Sequence, residues 1–269
     1  MITASIVTFH NPPHELSRLL QCVVQSDVAT LYLIDNSSDD RLKELSQASD
    51  KIVYLHTGKN LGYGRAHNIA IKRAMAAGAR YHVVLNPDIY WAGNAIGTLE
   101  QFMDTHTDCG LVMPKVLYPD GRIQYLCKLL PTPMNLFGRR FVLSRRIQQR
   151  IDARFELHFS GYDRVMDVPS LSGCFMFMRT DALRKAGIFD ERYFMYAEDL
   201  DLCRRIGEVS RTLFCPAATV FHAYEKGSYK DPALLKCHIR SVIQYFNKWG
   251  WLFDKKRRIA NRKCLEQFK

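Results

Sequence analysis

The chain has 269 residues, 47% of them apolar, and a formal net charge of +11. That apolar content excludes a disordered chain and suits one large domain or a domain with an appendage. No apolar run approaches the ~18 residues of a membrane span, and the positive charge predicts an anionic partner: nucleic acid, a phosphorylated small molecule or an acidic lipid surface.

Residues 2–9, ITASIVTF, read as a first strand and not as a secretory signal, since a basic start and a cleavage site are missing. HNPP breaks this strand, and Leu16, Leu19, Leu20, Val23 and Val24 follow at helical spacing. TLYLIDNSS and KIVYLHTG are the second and third strands. AHNIAIKRAMAAG is a helix that stops at Gly78. YHVVLNPD is a fourth strand, NAIGTLEQFMDTH an amphipathic helix, and CGLVMPKVLYPDG a fifth strand running into a turn. This alternation predicts an α/β fold, a mainly parallel central sheet flanked by helices. Residues 127–165 are Arg-rich and irregular, as in an inserted flap. VPSLSGCFMFMRTDALRKAG returns to a strand and a helix, with Asp181 as cap and Gly187 as stop. FDERYFMYAEDLDLCRRIG is a loop entering a helix, RTLFCPAATVFH a late strand, and the chain from Asp231 onward is helical and basic.

Eight cysteines are scattered without a C-x-x-C pair, which argues against metal fingers and for reduced thiols in a cytoplasm. Basic residues cluster at Arg139, Arg140, Arg145, Arg146, Arg150 and Arg154, and again in KKRRIANRK at 255–263. Either cluster is a solvated helix face or a binding surface.

Polar residues close four successive strands: Thr8 to Asn11, Asp35 to Ser37, the GKNLGYGRAHN stretch, and Asn86-Pro87-Asp88. In a parallel sheet these ends share one edge, where open α/β sheets bind ligands. Asp35 can accept from a base or a ribose, or can cap the next segment. Gly62 and Gly64 precede a helix whose first turn holds Arg65 and His67. Glycines there let backbone amides approach a phosphate, although the pattern is neither G-x-G-x-x-G nor a Walker A loop. Asn86-Pro87-Asp88 is a turn, or a site for a hard cation on a diphosphate, which needs only one or two protein carboxylates.

Glu198 and Asp199 open a helix behind Tyr193, Phe194 and Tyr196. They cap that helix, with Asp201, Arg204 and Arg205 as a solvated face, or form a sugar site. In a sugar site one acid takes a proton from a hydroxyl nucleophile that the other orients. His222 ends an apolar strand, either as a structural residue, as a metal ligand near Asp88, or on phosphate with Lys226, Ser228 and Tyr229.

Taken together, SIVTFHN, LIDNSS, NLGYGRAHN, LNPDI, SGCFMFMR, FDERYFMYAEDLDLCRR and VFHAYEKGS resemble the family-two inverting glycosyltransferases of GT-A fold. The resemblance is closest to the bacterial rhamnosyltransferase-like branch and spans roughly residues 2–245. It implies a glycosyltransferase domain over 1–225, with 127–165 as an insertion, and a basic helical extension over 226–269 packed on it. It implies that Thr8, His10 and Asp35 hold base and ribose, and that Arg65 and Asn68 sit near the nucleotide or diphosphate. Asn86-Pro87-Asp88 stands where the family carries Asp-x-Asp, so Asp88 becomes the main carboxylate for Mg²⁺ or Mn²⁺, with His222 completing the metal site. Gly173 and Cys174 line the donor-sugar and acceptor pocket, Asp199 is the base, and Glu198 binds the acceptor. The implied donor is dTDP-L-rhamnose, with a UDP-hexose as alternative. The implied acceptor is a growing bacterial surface glycan on a lipid diphosphate, reached from the cytoplasm. Trp249, Trp251 and Phe253 beside the basic run suit peripheral contact with an anionic membrane, or a core-docked helix. No nucleic-acid partner is expected, because no RNP-type sequence accompanies the charge.

Overall fold

The computed structural model describes residues 1–136, 144–223 and 232–269. Arg139, Arg140, Lys226, Ser228, Tyr229 and the expected boundary at 225/226 lie outside the described residues. The elements begin β1 (Ile2–Thr8), α1 (Pro13–Val24), β2 (Val28–Asp35), β3 (Ile52–His56), α2 (Tyr63–Ala76), β4 (Tyr81–Leu85), β5 (Ile89–Tyr90), α3 (Ala95–Thr105) and β6 (Cys109–Leu117). Next come β7 (Cys127–Lys128), α4 (Pro133–Leu136), α5 (Arg145–Phe155), β8 (Met166–Asp167), β9 (Ser170–Leu171), β10 (Phe175–Arg179) and α6 (Thr180–Ala186). The chain closes with α7 (Glu198–Ile206), β11 (Arg211–His222), α8 (Pro232–Trp249) and α9 (Lys255–Glu266).

All of β1 except Val7 is buried, as a central strand covered on both faces must be. It pairs in parallel with β2 and with β4, and β3 extends the sheet in parallel beyond β2. The full order is β3-β2-β1-β4-β10-β6-β11-β5, with β8 on β11. The expected mainly parallel α/β sheet is therefore present, with one reversal at its centre: β10 runs antiparallel to both β4 and β6. β6 and β11 then resume the parallel direction.

Three expectations need correction. The 127–165 stretch is more regular than an irregular flap, since it holds β7, α4 and α5. Asp181 lies inside the first turn of α6, whose cap position is Arg179, and pairs with Arg184 instead of capping. Asp201 and Arg204 are buried, not a solvated face. The cause is the C-terminal pair of helices, which covers them. Trp249 Nε1 donates to Asp201 at 2.8 Å, and Lys248 Nζ lies 2.6 Å from the same carboxylate. Arg204 forks onto Asp254 with two bonds of 2.7 Å and lies 4.0 Å from the Trp249 ring centre.

The end of the chain is stitched into the body. Cys264 belongs to the main core, with Leu265 and Phe268 packed against it. Asn261 exchanges two hydrogen bonds with the backbone of Leu130, and Gln267 does the same with Asp167.

Candidate active site

Register puts the polar strand ends side by side. Thr8 pairs with Asp35 across β1 and β2, and Ile6 with Leu85 across β1 and β4. Because β10 is reversed, its start arrives where its neighbours end. The Asn86 amide donates to Cys174 O at 2.9 Å. The Asn86-Pro87-Asp88 turn then folds the chain back, and β5 pairs with the last residues of β11, His222 opposite Ile89 and Phe221 opposite Tyr90. This hairpin-like return sets Asp88 Oδ1 3.2 Å from His222 Nε2. Asn86 Nδ2 lies 3.4 Å from the same ring nitrogen.

Gln124 fixes the imidazole from behind. Its Nε2 donates to His222 O at 2.7 Å, and its Oε1 lies 2.9 Å from His222 Nδ1. An amide oxygen can only accept, so Nδ1 carries a proton toward Gln124, and Nε2 is the ring atom turned toward Asp88 and Asn86. Gln124 is itself buried.

A further part of the lining is the entry to α7. Tyr196 (φ +69°) and Ala197 (φ +63°) are both left-handed, at a cost of roughly 1–2 kcal/mol each. Backbone strain of this kind collects at functional sites. Here it delivers Glu198 and Asp199 at the helix start. Glu198 is buried, and among the described residues its Oε2 has no hydrogen-bond partner. Burial first, and the adjacent Asp199 second, push its carboxyl well above the usual range, which favours the neutral acid. Asp199 accepts from the Gly173 amide at 2.8 Å and from the Leu200 amide at 2.8 Å. Only glycine fits at 173 without displacement, since a Cβ there would lie 3.0 Å from Asp199 Cβ.

Tyr63 ties the walls together. Its hydroxyl donates to Gly173 O at 2.7 Å and lies 3.1 Å from Asn86 Oδ1. Burial pushes this hydroxyl well above its ordinary pKa, so it stays protonated as a donor.

These residues border a cleft of about 1750 Å³ between the described residues. It is lined by Asn86, Asp88, Gly173, Cys174, Glu198, Asp199 and His222 together. Burial pushes the Cys174 thiol up to about 12, so Cys174 offers wall and backbone rather than a thiolate. The remaining expected site residues stand elsewhere. Thr8 is buried and turns its hydroxyl to Asp35 Oδ1 at 3.3 Å. Asp35 is buried and already accepts from the Ser37 amide at 3.0 Å and from Tyr54 Oη at 2.8 Å. His10 is exposed, left-handed at φ +56°, and its ring centre lies 4.4 Å from that of Phe9.

Arg65 and Asn68, expected near the nucleotide or diphosphate, are not among the residues that line this cleft. Asn68 is buried and clamps the backbone of Phe189, donating at 2.9 Å and accepting at 3.0 Å. Arg65 pairs with Glu191 at 3.4 Å and lines a separate cavity of about 470 Å³. The glycines of the same stretch serve contact with the α7 loop. A Cβ on Gly62 (φ +83°) would lie 2.2 Å from Phe194 O, and the Tyr63 amide donates to that oxygen at 2.9 Å. NLGYGRAHN is thus a platform for the loop that carries Glu198 and Asp199. Sequence reasoning missed Gln124, which no motif marks, and Tyr63, whose place inside NLGYGRAHN was the available signal.

A sequence model of glycosyl transferase family 2 matches residues 5–186. The chain belongs to that family and is a glycosyltransferase. Within it, the chain is 30% identical over 262 residues to N-acetylglucosaminyl-diphospho-decaprenol L-rhamnosyltransferase of Mycobacterium tuberculosis, covering 91% of this chain and 84% of that protein. It is 25% identical over 268 residues to rhamnosyltransferase WbbL of Escherichia coli K12, covering 96% and 94%. These relatives set it in the rhamnosyltransferase branch. Among solved structures, GalNAc-T7 with UDP, GalNAc and Mn²⁺ superposes with a TM-score of 0.63 at 14% identity, over 90% of this chain and 47% of that longer one. Staphylococcus aureus TarS superposes with a TM-score of 0.59 at 16% identity, over 99% and 43%. Both are glycosyltransferases of GT-A fold, and the likeness confirms that architecture here.

Proposed function

We propose that the protein transfers a sugar from a nucleotide diphosphate sugar to a hydroxyl of a growing cell-surface glycan, with inversion at the anomeric carbon. The observation that carries this is the meeting of two pairs in one cleft, Asp88 with His222 and Glu198 with Asp199. The donor we favour is dTDP-L-rhamnose and the acceptor a lipid-linked glycan at the inner face of the membrane. The rhamnosyl group is supported by the names of both the mycobacterial and the Escherichia coli relative, and the lipid-linked acceptor by the mycobacterial name.

Asp88 and His222 offer one carboxylate oxygen and one imidazole nitrogen, with Nε2 turned toward Asp88 while Gln124 holds Nδ1. That donor set fits Mn²⁺ or Mg²⁺, whose other positions are filled by phosphate oxygens and water. Among the described residues no three His, Cys, Asp or Glu side chains gather into a fuller cage. Such a cation, when bound, neutralises charge on the departing diphosphate.

The chain's own groups do the rest. Asp199, fixed by the Gly173 amide, takes the proton of the acceptor hydroxyl. That oxygen bonds to the anomeric carbon as the carbon–oxygen bond to the diphosphate breaks, and the nucleoside diphosphate leaves. Neutral Glu198 donates a hydrogen bond to the acceptor and adds no second charge beside Asp199. Asn86, Gly173 and Cys174 line the donor sugar, and Tyr63 bridges the Gly173 carbonyl and the Asn86 side chain. His10 and Phe9 offer a face to the base, while Thr8 and Asp35 shape its floor through Ser37, whose Oγ accepts from the His10 amide at 2.8 Å.

A panel of nucleotide sugars, scored by release of nucleoside diphosphate, tests the reading. Turnover of dTDP-L-rhamnose is expected, and turnover of a UDP-hexose in its place would reassign the donor. Asp199→Asn should abolish release while nucleotide affinity by calorimetry stays intact.

A further inference from the structure

The turn between α8 and α9 leaves three consecutive large apolar side chains in solvent: Trp251 at 39% exposure, Leu252 at 72% and Phe253 at 98%. Scattered exposed hydrophobes are ordinary, but a contiguous set on a rigid turn marks an interaction site. Rigidity here comes from both flanks. Gly250 (φ +99°) ends α8 with its amide on Phe246 O at 2.8 Å. Asp254, next after Phe253, is buried on Arg204 and caps α9 through the Arg257 amide at 2.9 Å. Arg257 then reaches back to Leu252 O at 3.2 Å. The backbone is pinned while the side chains stay in water.

The surroundings select the partner. Ile239 and Ile243, one helical turn apart on α8, are 40% and 38% exposed and extend the apolar stripe toward the tip. Lys255, Arg258 and Lys263 are exposed on α9 and form no ion pair among the described residues. No described helix is long and apolar enough to cross a membrane. Apolar tip plus basic collar is the chemistry of insertion at a lipid–water boundary.

We propose that Trp251–Phe253 inserts into the interface of an anionic phospholipid bilayer, with Lys255, Arg258 and Lys263 on the headgroups. The basic run 255–263 is then the collar and not the anchor, and deleting 255–269 would strip Cys264 from the core. The same α8 lines the cleft with His238 and Val242. Val242 and Trp249 are two turns apart, roughly 10 Å, so an inserted tip holds the cleft close to the surface. That orientation toward a lipid-borne acceptor rests on the proposed reaction, whereas the insertion does not.

The test uses the full chain with vesicles of phosphatidylcholine plus phosphatidylglycerol, and of phosphatidylcholine alone, by co-sedimentation and tryptophan emission. Binding to the anionic vesicles is expected, falling as salt rises. Leu252→Ser with Phe253→Ser should cut partitioning about 10- to 100-fold at an unchanged thermal midpoint, and Lys255→Glu with Arg258→Glu should also weaken it. Unchanged partitioning of the Leu252/Phe253 variant overturns the proposal. So does failure of the parent chain to bind anionic vesicles, or a dimer in ultracentrifugation that the serine variant abolishes. Vesicle binding is read without donor or acceptor, so a failed donor screen bears on the reaction alone.

Discussion

Replacing Gly173 by alanine asks whether catalysis needs Asp199 seated against that backbone. An added Cβ would stand 3.0 Å from Asp199 Cβ and 3.2 Å from its Oδ2. Carbon atoms settle at about 3.5–4.0 Å, so Asp199 must give by a few tenths of an ångström. That motion stretches the 2.8 Å bond from the Gly173 amide, which aims the carboxylate into the cleft. A misplacement of about 1 Å can cost 10²-fold in rate, and losing a hydrogen bond to a charged group costs about 1.5–3 kcal/mol. We expect kcat for nucleoside diphosphate release to fall about 10- to 100-fold, with nucleotide affinity by calorimetry and the thermal midpoint little changed. Turnover at the parent rate would refute the reasoning. A loss of turnover matched by an equal loss of nucleotide binding would also refute it, because the glycine would then be shaping the donor pocket and not the base.

Gln124→Leu should weaken Mn²⁺ binding about 10- to 100-fold by freeing the His222 ring, measured by electron paramagnetic resonance of free Mn²⁺. Gln124→Glu, which keeps an acceptor on Nδ1, should retain most of it. Asp254→Ala strands the buried Arg204 guanidinium and should lose about 3–5 kcal/mol in denaturant unfolding; a loss under about 1 kcal/mol would mean that water replaces the carboxylate. Burial holds the His82 ring at about 3 and His67 well below its usual value. The unfolded chain, near 6.5, therefore takes up protons that the folded one refuses, and their contribution is lost as pH falls below about 6.5. Between pH 7.5 and 5.5 each ring removes about 1.4 kcal/mol. Buried Glu198 opposes this by destabilising the fold as pH rises above its unfolded value, so the readout is the difference in slope between the parent and His82→Gln. Identical slopes would contradict the assignment.

Much of the site could be read from the chain because strand ends carry their own punctuation. LNPD and FMYAED interrupt apolar periodicity with polar residues, and each lies on the cleft. What escaped the reading depends on partners far away in sequence. The reversal of β10 is invisible in FMFMR, whose run of apolar residues fits either direction. NLGYGRAHN has the glycines of a phosphate loop, yet they answer to Phe189 and Phe194, more than a hundred positions on. Asp201 and Arg204 sit at spacings that mimic a wet helix face until α8 covers them. Trp249 and Phe253 look alike in sequence, but the first is held by Asp201 and Arg204 while the second is 98% exposed.

The return of β5 onto the end of β11 has a temporal consequence. Asn86 and His222 are 136 positions apart. During synthesis β1 to β4 precede β11 by more than a hundred residues, so the contact between Asp88 and His222 forms only once β11 has paired. A ligand spanning Asp88 and His222 recognises only the finished molecule. It therefore acts as a clasp on the native state, raising its stability with the logarithm of ligand concentration and nothing else along the route.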